Sequence, residues 1–235
     1  MMRTIIFKLV LGIYFVLWAP FLLVGLVSAR LTKKLIIIDA HGVLALARII
    51  CGIKYQIHYP PTEENGIPMA PNDNVRLDGK AIIASKHMSI MEVAILAVSI
   101  QNPFFIVKRE LLWIPIYGWS FWRMGLQPVN RTRGATNLNK LANAVAHRIM
   151  NGQTLIIFPE GTRVKPGARP TLRRGLLYLA QTLKLPIIPV GVDTGLYWPR
   201  SGRMTRGTAH IYYGTVLPST ASLTEIATAI NEHSA

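Results

Sequence analysis

The chain has 235 residues, of which 51% are hydrophobic, and 26 Lys and Arg oppose 11 Asp and Glu for a formal charge of +15. That length suits one domain with a full core, and a single cysteine, Cys51, excludes an intrachain disulfide framework. The basic balance points to an anionic partner; a mean hydropathy of +0.33 makes lipid the better match than nucleic acid, for which no binding module is visible.

In chain order, residues 5–29 carry one charge, Lys8, and are long enough to cross a bilayer. Arg3 and Lys8 precede or open this run and Arg30, Lys33 and Lys34 follow it, so the positive-inside rule gives no orientation. Residues 35–58 are apolar again but include Asp39, His41, Arg48 and Lys54, which predicts an amphipathic interfacial helix. Residues 1–58 are therefore expected to form a membrane-binding segment of two helices. They form either one span or a re-entrant pair in one leaflet, and the symmetric charge favours the pair. Residues 59–79, with four prolines in 60–79 among Gly, Asn and acidic residues, predict a polar linker. Residues 80–235 form the expected catalytic domain.

From Lys80 onward strands and helices alternate. Strands are expected at 81–84, 104–107, 154–158, 186–192 and 208–217. Helices are expected at 93–100, from Asn137 to Gly152, at 175–185 and at 223–231. The pattern predicts an α/β fold: a central, mostly parallel β-sheet flanked by helices and preceded by the N-terminal membrane-associated helices. In such folds the loops after the strand ends carry function.

Those loops concentrate the chemistry. After the first of these strands comes KHMSIMEV, residues 86–93, with His87 five positions before Glu92. On one helix the two side chains would point apart. With His87 in the turn and Glu92 in the first helical turn they meet. The carboxylate then fixes the imidazole tautomer and leaves the other ring nitrogen free to take a proton from a hydroxyl. The same residues also read as a capping box, with Ser89 as N-cap and Glu92 reaching back. After the next strand lie Lys108, Arg109 and Glu110; then GLQPVNR ends at Arg131; FPEGTR spans 158–163; Arg173 and Arg174 follow. Arg and Lys on strand-end loops suit a phosphate, or else form a solvated basic rim. Glu160 either pairs with Arg163 or contacts a substrate, and Gly161 suggests a backbone of positive φ. The six His and one Cys show no metal-ligand spacing.

Taken together and in order, four blocks resemble the 1-acyl-sn-glycerol-3-phosphate acyltransferase family of the glycerolipid acyltransferases. They are His87-x4-Glu92, residues 125–131 ending in Arg131, FPEGTR at 158–163, and the proline-containing strand Ile188-Pro189-Val190. The chain departs from the family twice: Glu92 stands where Asp is usual, and Asn130 where an acid usually precedes the arginine. The resemblance implies acyl transfer from acyl-CoA or acyl carrier protein to the sn-2 hydroxyl of lysophosphatidic acid, giving phosphatidic acid. It implies His87 as general base, Glu92 as its orienting partner, and Lys108, Arg131 and Arg163 on the acceptor phosphate. Phe158, Pro159, Glu160, Gly161 and Thr162 would shape the acceptor site. Neither metal nor cofactor is implied. The expected place is the membrane, on the cytoplasmic face of the inner membrane in a bacterium. Glycerol 3-phosphate, a lyso-ornithine lipid or another lysophospholipid are alternative acceptors, and a non-catalytic lipid-binding protein is the alternative class.

Overall fold

The computed structural model describes residues 1–60, 80–129 and 136–234. Its sheet has seven strands in the order β1-β7-β6-β2-β5-β3-β4. The strands are β1 (Ile53–His58), β2 (Ile82–Ser85), β3 (Pro103–Lys108), β4 (Gln127–Val129), β5 (Thr154–Ile157), β6 (Ile187–Val192) and β7 (Gly207–Tyr213). All neighbours are parallel except β6 and β7. The central strands β2, β5 and β6 are buried at every residue, which is why they are continuous apolar runs rather than alternating ones. Pro128 sits in β4, an edge strand, where the missing N–H costs no ladder bond on the open side.

The helices on the sheet are α3 (Met91–Ser99), α4 (Tyr117–Met124), α5 (Thr136–Met150), α6 (Gly175–Leu183), the short α7 (Thr194–Tyr197) and α8 (Leu223–Glu232). Two apolar clusters form the core. One joins Ile83, Met91, Ile95, Ile156, Ile188 and Ile211 to the N-terminal helices; the other joins Ile82, Phe104, Leu155, Leu176, Ile187 and Ile226. The mostly parallel sheet with flanking helices matches the fold expected from sequence.

The N-terminal segment is a helical hairpin, α1 (Met2–Gly25) and α2 (Ala29–Leu46), continued by a π-helical turn, Ala47–Cys51. The hairpin is tight. The Thr32 hydroxyl donates to the Gly25 and Ser28 carbonyls at 2.7 and 3.0 Å. Tyr14 donates to the Asp39 carbonyl at 3.3 Å, and a Cβ on Gly42 would lie 2.2 Å from the Tyr14 oxygen, so only glycine admits that approach. Both ends of α1 are fixed to the body. Near its start the Thr4 hydroxyl accepts from the Met204 N–H at 3.1 Å, and Phe7 packs edge-on against Trp198. At its end Arg123 of α4 donates to the Leu26 and Val27 carbonyls.

One expected element is corrected. Residues 35–58 are not one amphipathic helix: the helix stops at Cys51, and Ile53–His58 is a strand paired in parallel with β7. Gly52, with φ 70°, ends the helix in the left-handed region that glycine adopts without strain. The alternation of apolar and polar residues that follows is a strand period. The segment 1–58 is thus helical to Cys51, and its last strand belongs to the sheet. The linker at 61–79 lies outside the described residues.

Candidate active site

His87 lies at the end of the central strand β2, between the loops that follow its two neighbours, β5 and β6. This is the crevice outside the carboxyl ends of parallel strands where α/β folds place ligands. Ser89 Oγ accepts from the Met91 N–H, which starts α3, so Glu92 falls in the first helical turn and points back at the strand end. Its carboxylate is fully buried, and Oε1 is 2.8 Å from His87 Nδ1. Oε1 also accepts from the Met88 and Ser89 N–H groups at 2.8 Å each, and Oε2 from Ser89 at 3.0 Å. Glu92 therefore reaches back to the Ser89 N–H, as the capping reading expects, and orients His87 with the same carboxylate; the box itself is incomplete, because Ile90 is the N-cap and Ser89 Oγ bonds the Met91 rather than the Glu92 N–H.

With Nδ1 donating to a carboxylate, the imidazole presents Nε2 as its free acceptor. The ring is one-fifth exposed and lies against Phe158, with centroids 4.2 Å apart and planes 24° apart. The FPEGTR loop wraps the same residue. The Val164 N–H donates to the His87 carbonyl at 2.8 Å, and the His87 N–H donates to Glu160 Oε2 at 2.7 Å. Gly161, at φ 72°, makes the turn. Pro159 is buried and its carbonyl accepts from the Arg173 N–H at 2.7 Å. Thr162 is exposed.

Glu160 holds the backbone of His87, and no ion pair joins it to Arg163, so that reading of Glu160 is not what the fold uses. Burial pushes its carboxyl up to about 7, against the hydrogen bond from His87 and the charge of Lys86, which pull it down. Lys86 is buried with its Nζ donating to the Ala168 carbonyl at 2.8 Å and to Asn231 Oδ1, and burial lowers its ammonium below the usual lysine range. It ties α8 to the strand end behind the site.

One site residue went unnoticed in the sequence. The Thr194 hydroxyl, buried at the start of α7 after β6, donates to Glu92 Oε2 at 2.6 Å. Glu92 thus accepts hydrogen bonds from four residues, with no cation against it. A lone threonine after a strand carries no local signal for this contact.

The expected phosphate-binding cations are less gathered. Lys108, at the end of β3, is half-exposed and pairs with Glu110 at 3.5 Å, a solvated surface pair. It stands two strands from β2, roughly 10 Å at about 4.8 Å per strand. Arg163 is half-buried in the loop beside His87 and has no hydrogen-bonding or ion-pair partner among the described residues. Arg131 lies outside the described residues. Among the described residues no cluster of His, Cys, Asp and Glu could hold a metal.

Comparison with known proteins bears on this geometry. A family model described as Acyltransferase matches residues 67–193, more than half of the chain and the whole stretch from β2 to the end of β6. A 1-acyl-sn-glycerol-3-phosphate acyltransferase of Pseudomonas aeruginosa is 29% identical over 203 residues, covering 85% of this chain and 74% of its own length. The protein of that name from Escherichia coli is 30% identical over 117 residues, covering 49% of this chain and 48% of its own. Across the other curated relatives the chain spans about half of their length or less, as with the human beta enzyme at 51%. The crystal structure of a lysophosphatidic acid acyltransferase from Thermotoga maritima superposes with a TM-score of 0.69 at 19% identity, covering 98% of this chain and 92% of that one. It shows the same fold.

Proposed function

The chain belongs to the acyltransferase family, and from that premise we propose that it acylates the sn-2 hydroxyl of lysophosphatidic acid to give phosphatidic acid, with acyl-CoA or acyl carrier protein as donor. The observation that carries the reading is the 2.8 Å contact of His87 Nδ1 with buried Glu92, which leaves Nε2 free at an open strand end. The relatives' names supply the acceptor, and its acylation gives phosphatidic acid.

The geometry supports the following steps. Nε2 takes the proton of the acceptor hydroxyl as its oxygen attacks the thioester carbonyl carbon. Glu92 stabilises the imidazolium that forms. The tetrahedral intermediate collapses with cleavage of the C–S bond, and the imidazolium returns its proton to the leaving thiolate. No acyl-enzyme and no cofactor enter this sequence. General-base help of this kind is worth on the order of 10² to 10⁴ in rate. Arg163, beside His87 and without a partner among the described residues, is the first candidate for the acceptor phosphate. Arg131 and Lys108 complete the set inferred from the family pattern, and Phe158 to Thr162 form the loop that shapes this side of the site.

The acceptor is a lipid, which gives the hairpin its purpose. Helix α1 has the length and apolarity of a membrane span, with a mean hydropathy of 2.2, yet only 11% of that window is buried in the fold. Because both of its ends are fixed to the same body, α1 lies along the body and enters one leaflet rather than crossing the bilayer. Trp113, Trp119 and Trp122, all exposed around α4 beside the hairpin turn, suit the headgroup level where indoles accumulate. In a bacterium the cytoplasmic face of the inner membrane, where acyl thioesters are made, is the matching location.

The test is product formation by the purified chain in detergent with oleoyl-CoA, or the acyl carrier protein thioester, and radiolabelled lysophosphatidic acid. Phosphatidic acid from the native chain and none from His87→Ala supports the reading. Silence with both donors across several lyso-lipids overturns it, and equal activity of the two proteins removes His87 as base.

A further inference from the structure

At the far end of the same sheet edge as His87 a charged cavity of about 480 Å³ opens. Four cations line it from four parts of the chain: Arg3 at the start of α1, Arg48 in the π-helical turn, Lys54 in β1 and Arg206 just ahead of β7. No acidic side chain lines it, and no described carboxylate pairs with any of the four. Gly52 forms its floor; a Cβ there would lie 2.9 Å from Arg206 Cγ, so the glycine lets that side chain lie across the backbone. Ile49, 77% exposed, stands in the same lining.

We propose that this cavity binds the phosphate headgroup of an anionic phospholipid of the membrane, separately from the acceptor in the active site. The inference rests on the reading that α1 lies in a leaflet. Four like charges line one space, and no described carboxylate stands against them. An anionic phosphate would supply the counter-charge. The exposed isoleucine beside the cations, and the exposed Ile5, Ile6 and Leu9 of the adjoining α1, place apolar surface next to charge as an amphiphile requires.

Two other occupants fit less well. The acceptor bound at His87 is the less suited occupant: the strand that carries Lys54 is three spacings from β2, roughly 14 Å at about 4.8 Å each, whereas the sn-2 oxygen and the phosphate are joined by one short glycerol linkage. The nucleotide end of acyl-CoA would need a platform for its adenine, and no aromatic ring lines the cavity.

The experiment is flotation of the full chain with phosphatidylcholine vesicles, with and without phosphatidic acid, at fixed salt. Arg48→Ala with Arg206→Ala is expected to reduce the gain from phosphatidic acid roughly 30-fold, at about fivefold per cation. The surface pair Lys140→Ala with Lys184→Ala removes the same charge elsewhere and is expected to leave most of the gain. Arg48→Lys with Arg206→Lys is expected to retain it, which separates loss of charge from loss of fold. An unchanged gain in the double alanine variant overturns the proposal, as does an equal loss in the control pair, which would mean diffuse attraction. A raised KM for acyl-CoA in micelles with unaltered vesicle binding would also overturn it, by assigning the cavity to the donor. None of the flotation outcomes depends on turnover, so failure of the headgroup site and failure of the acyl-transfer reading are separately visible.

Discussion

Helix α1 and the segment from β2 into α3 break the ordinary burial rule in opposite directions. Along α1 large apolar side chains such as Leu9, Ile13, Val16 and Leu17 are left outside. From β2 into α3, Ser85, Lys86, Ser89 and Glu92 are taken inside. An exposed apolar patch and a buried polar group are the two informative exceptions in a fold. The first is compatible with a surface that faces a lipid phase. The second is tolerated because each buried group is hydrogen-bonded, and it yields a histidine held at both its ring and its backbone. Apolar character in sequence is therefore not one signal: α3 is as apolar as α1, and seven of its nine residues are buried.

The sharpest way to break the contrast is at the polar end. His87→Ala should lower turnover by about 10³ or more while leaving vesicle binding intact; the assay is phosphatidic acid formation beside flotation of the same preparation.

Next in size is the cost of burying Glu160. Its carboxyl is raised from 4.5 to about 7 in the fold, so the folded state holds the proton that the unfolded chain releases first. The stability that this group contributes is full below about pH 4.5, falls as pH rises to about 7, and is level above. The loss is about 3 kcal/mol, at roughly 1.4 kcal/mol per pH unit. Glu160→Gln keeps an acceptor for the His87 N–H and removes the titration. The difference between native and variant unfolding temperatures should therefore grow between pH 4.5 and 7 in favour of Gln. A difference independent of pH would show that this carboxyl titrates normally.

At the apolar end, Val16→Asp with Leu17→Asp should weaken vesicle binding about 100-fold, because each charge on the lipid-facing side must be solvated there. Turnover in micelles should fall much less. If binding is unchanged, α1 does not lie in the leaflet.

The smallest effect separates positioning from scaffolding. Thr194→Val deletes one hydrogen bond to the Glu92 carboxylate and should cost about tenfold in kcat, the equivalent of roughly 1.4 kcal/mol. KM for both substrates should hold, and Thr194→Ser should recover the rate. A change confined to KM, or to thermal stability, would deny Thr194 that role.

How much could be read beforehand divides by distance along the chain. The pairing of His87 with Glu92 needs only a strand, a turn and a helical first turn within six residues, so residue type and spacing sufficed to foresee it. The strands that line the site were legible for a related reason: buried parallel strands have few ways to be written other than as short apolar runs. β1 is harder to read because its apolar content continues that of the helix before it, although Gly52 and the alternation after it mark the change of period. The loop FPEGTR was legible as a segment at a strand end, where it packs on His87. Its use of Glu160 on the His87 backbone was not, since a carboxylate near several arginines points in sequence to an ion pair.

By itself, then, the sequence determined the alternation of elements, the apolar N-terminus, and the local histidine–carboxylate unit, all set by propensity, periodicity and short-range spacing. The tertiary structure alone decided that β6 lies beside β2, which brings Thr194 onto Glu92 from 102 positions away, and that β5 lies on the other side, which brings Glu160 to His87 from 73. It also decided that both ends of α1 meet one body, and that Arg3, Arg48, Lys54 and Arg206 share a cavity. Strand order and helix docking are fixed by long-range burial of apolar surface, a property of the assembled sheet that no window of sequence contains.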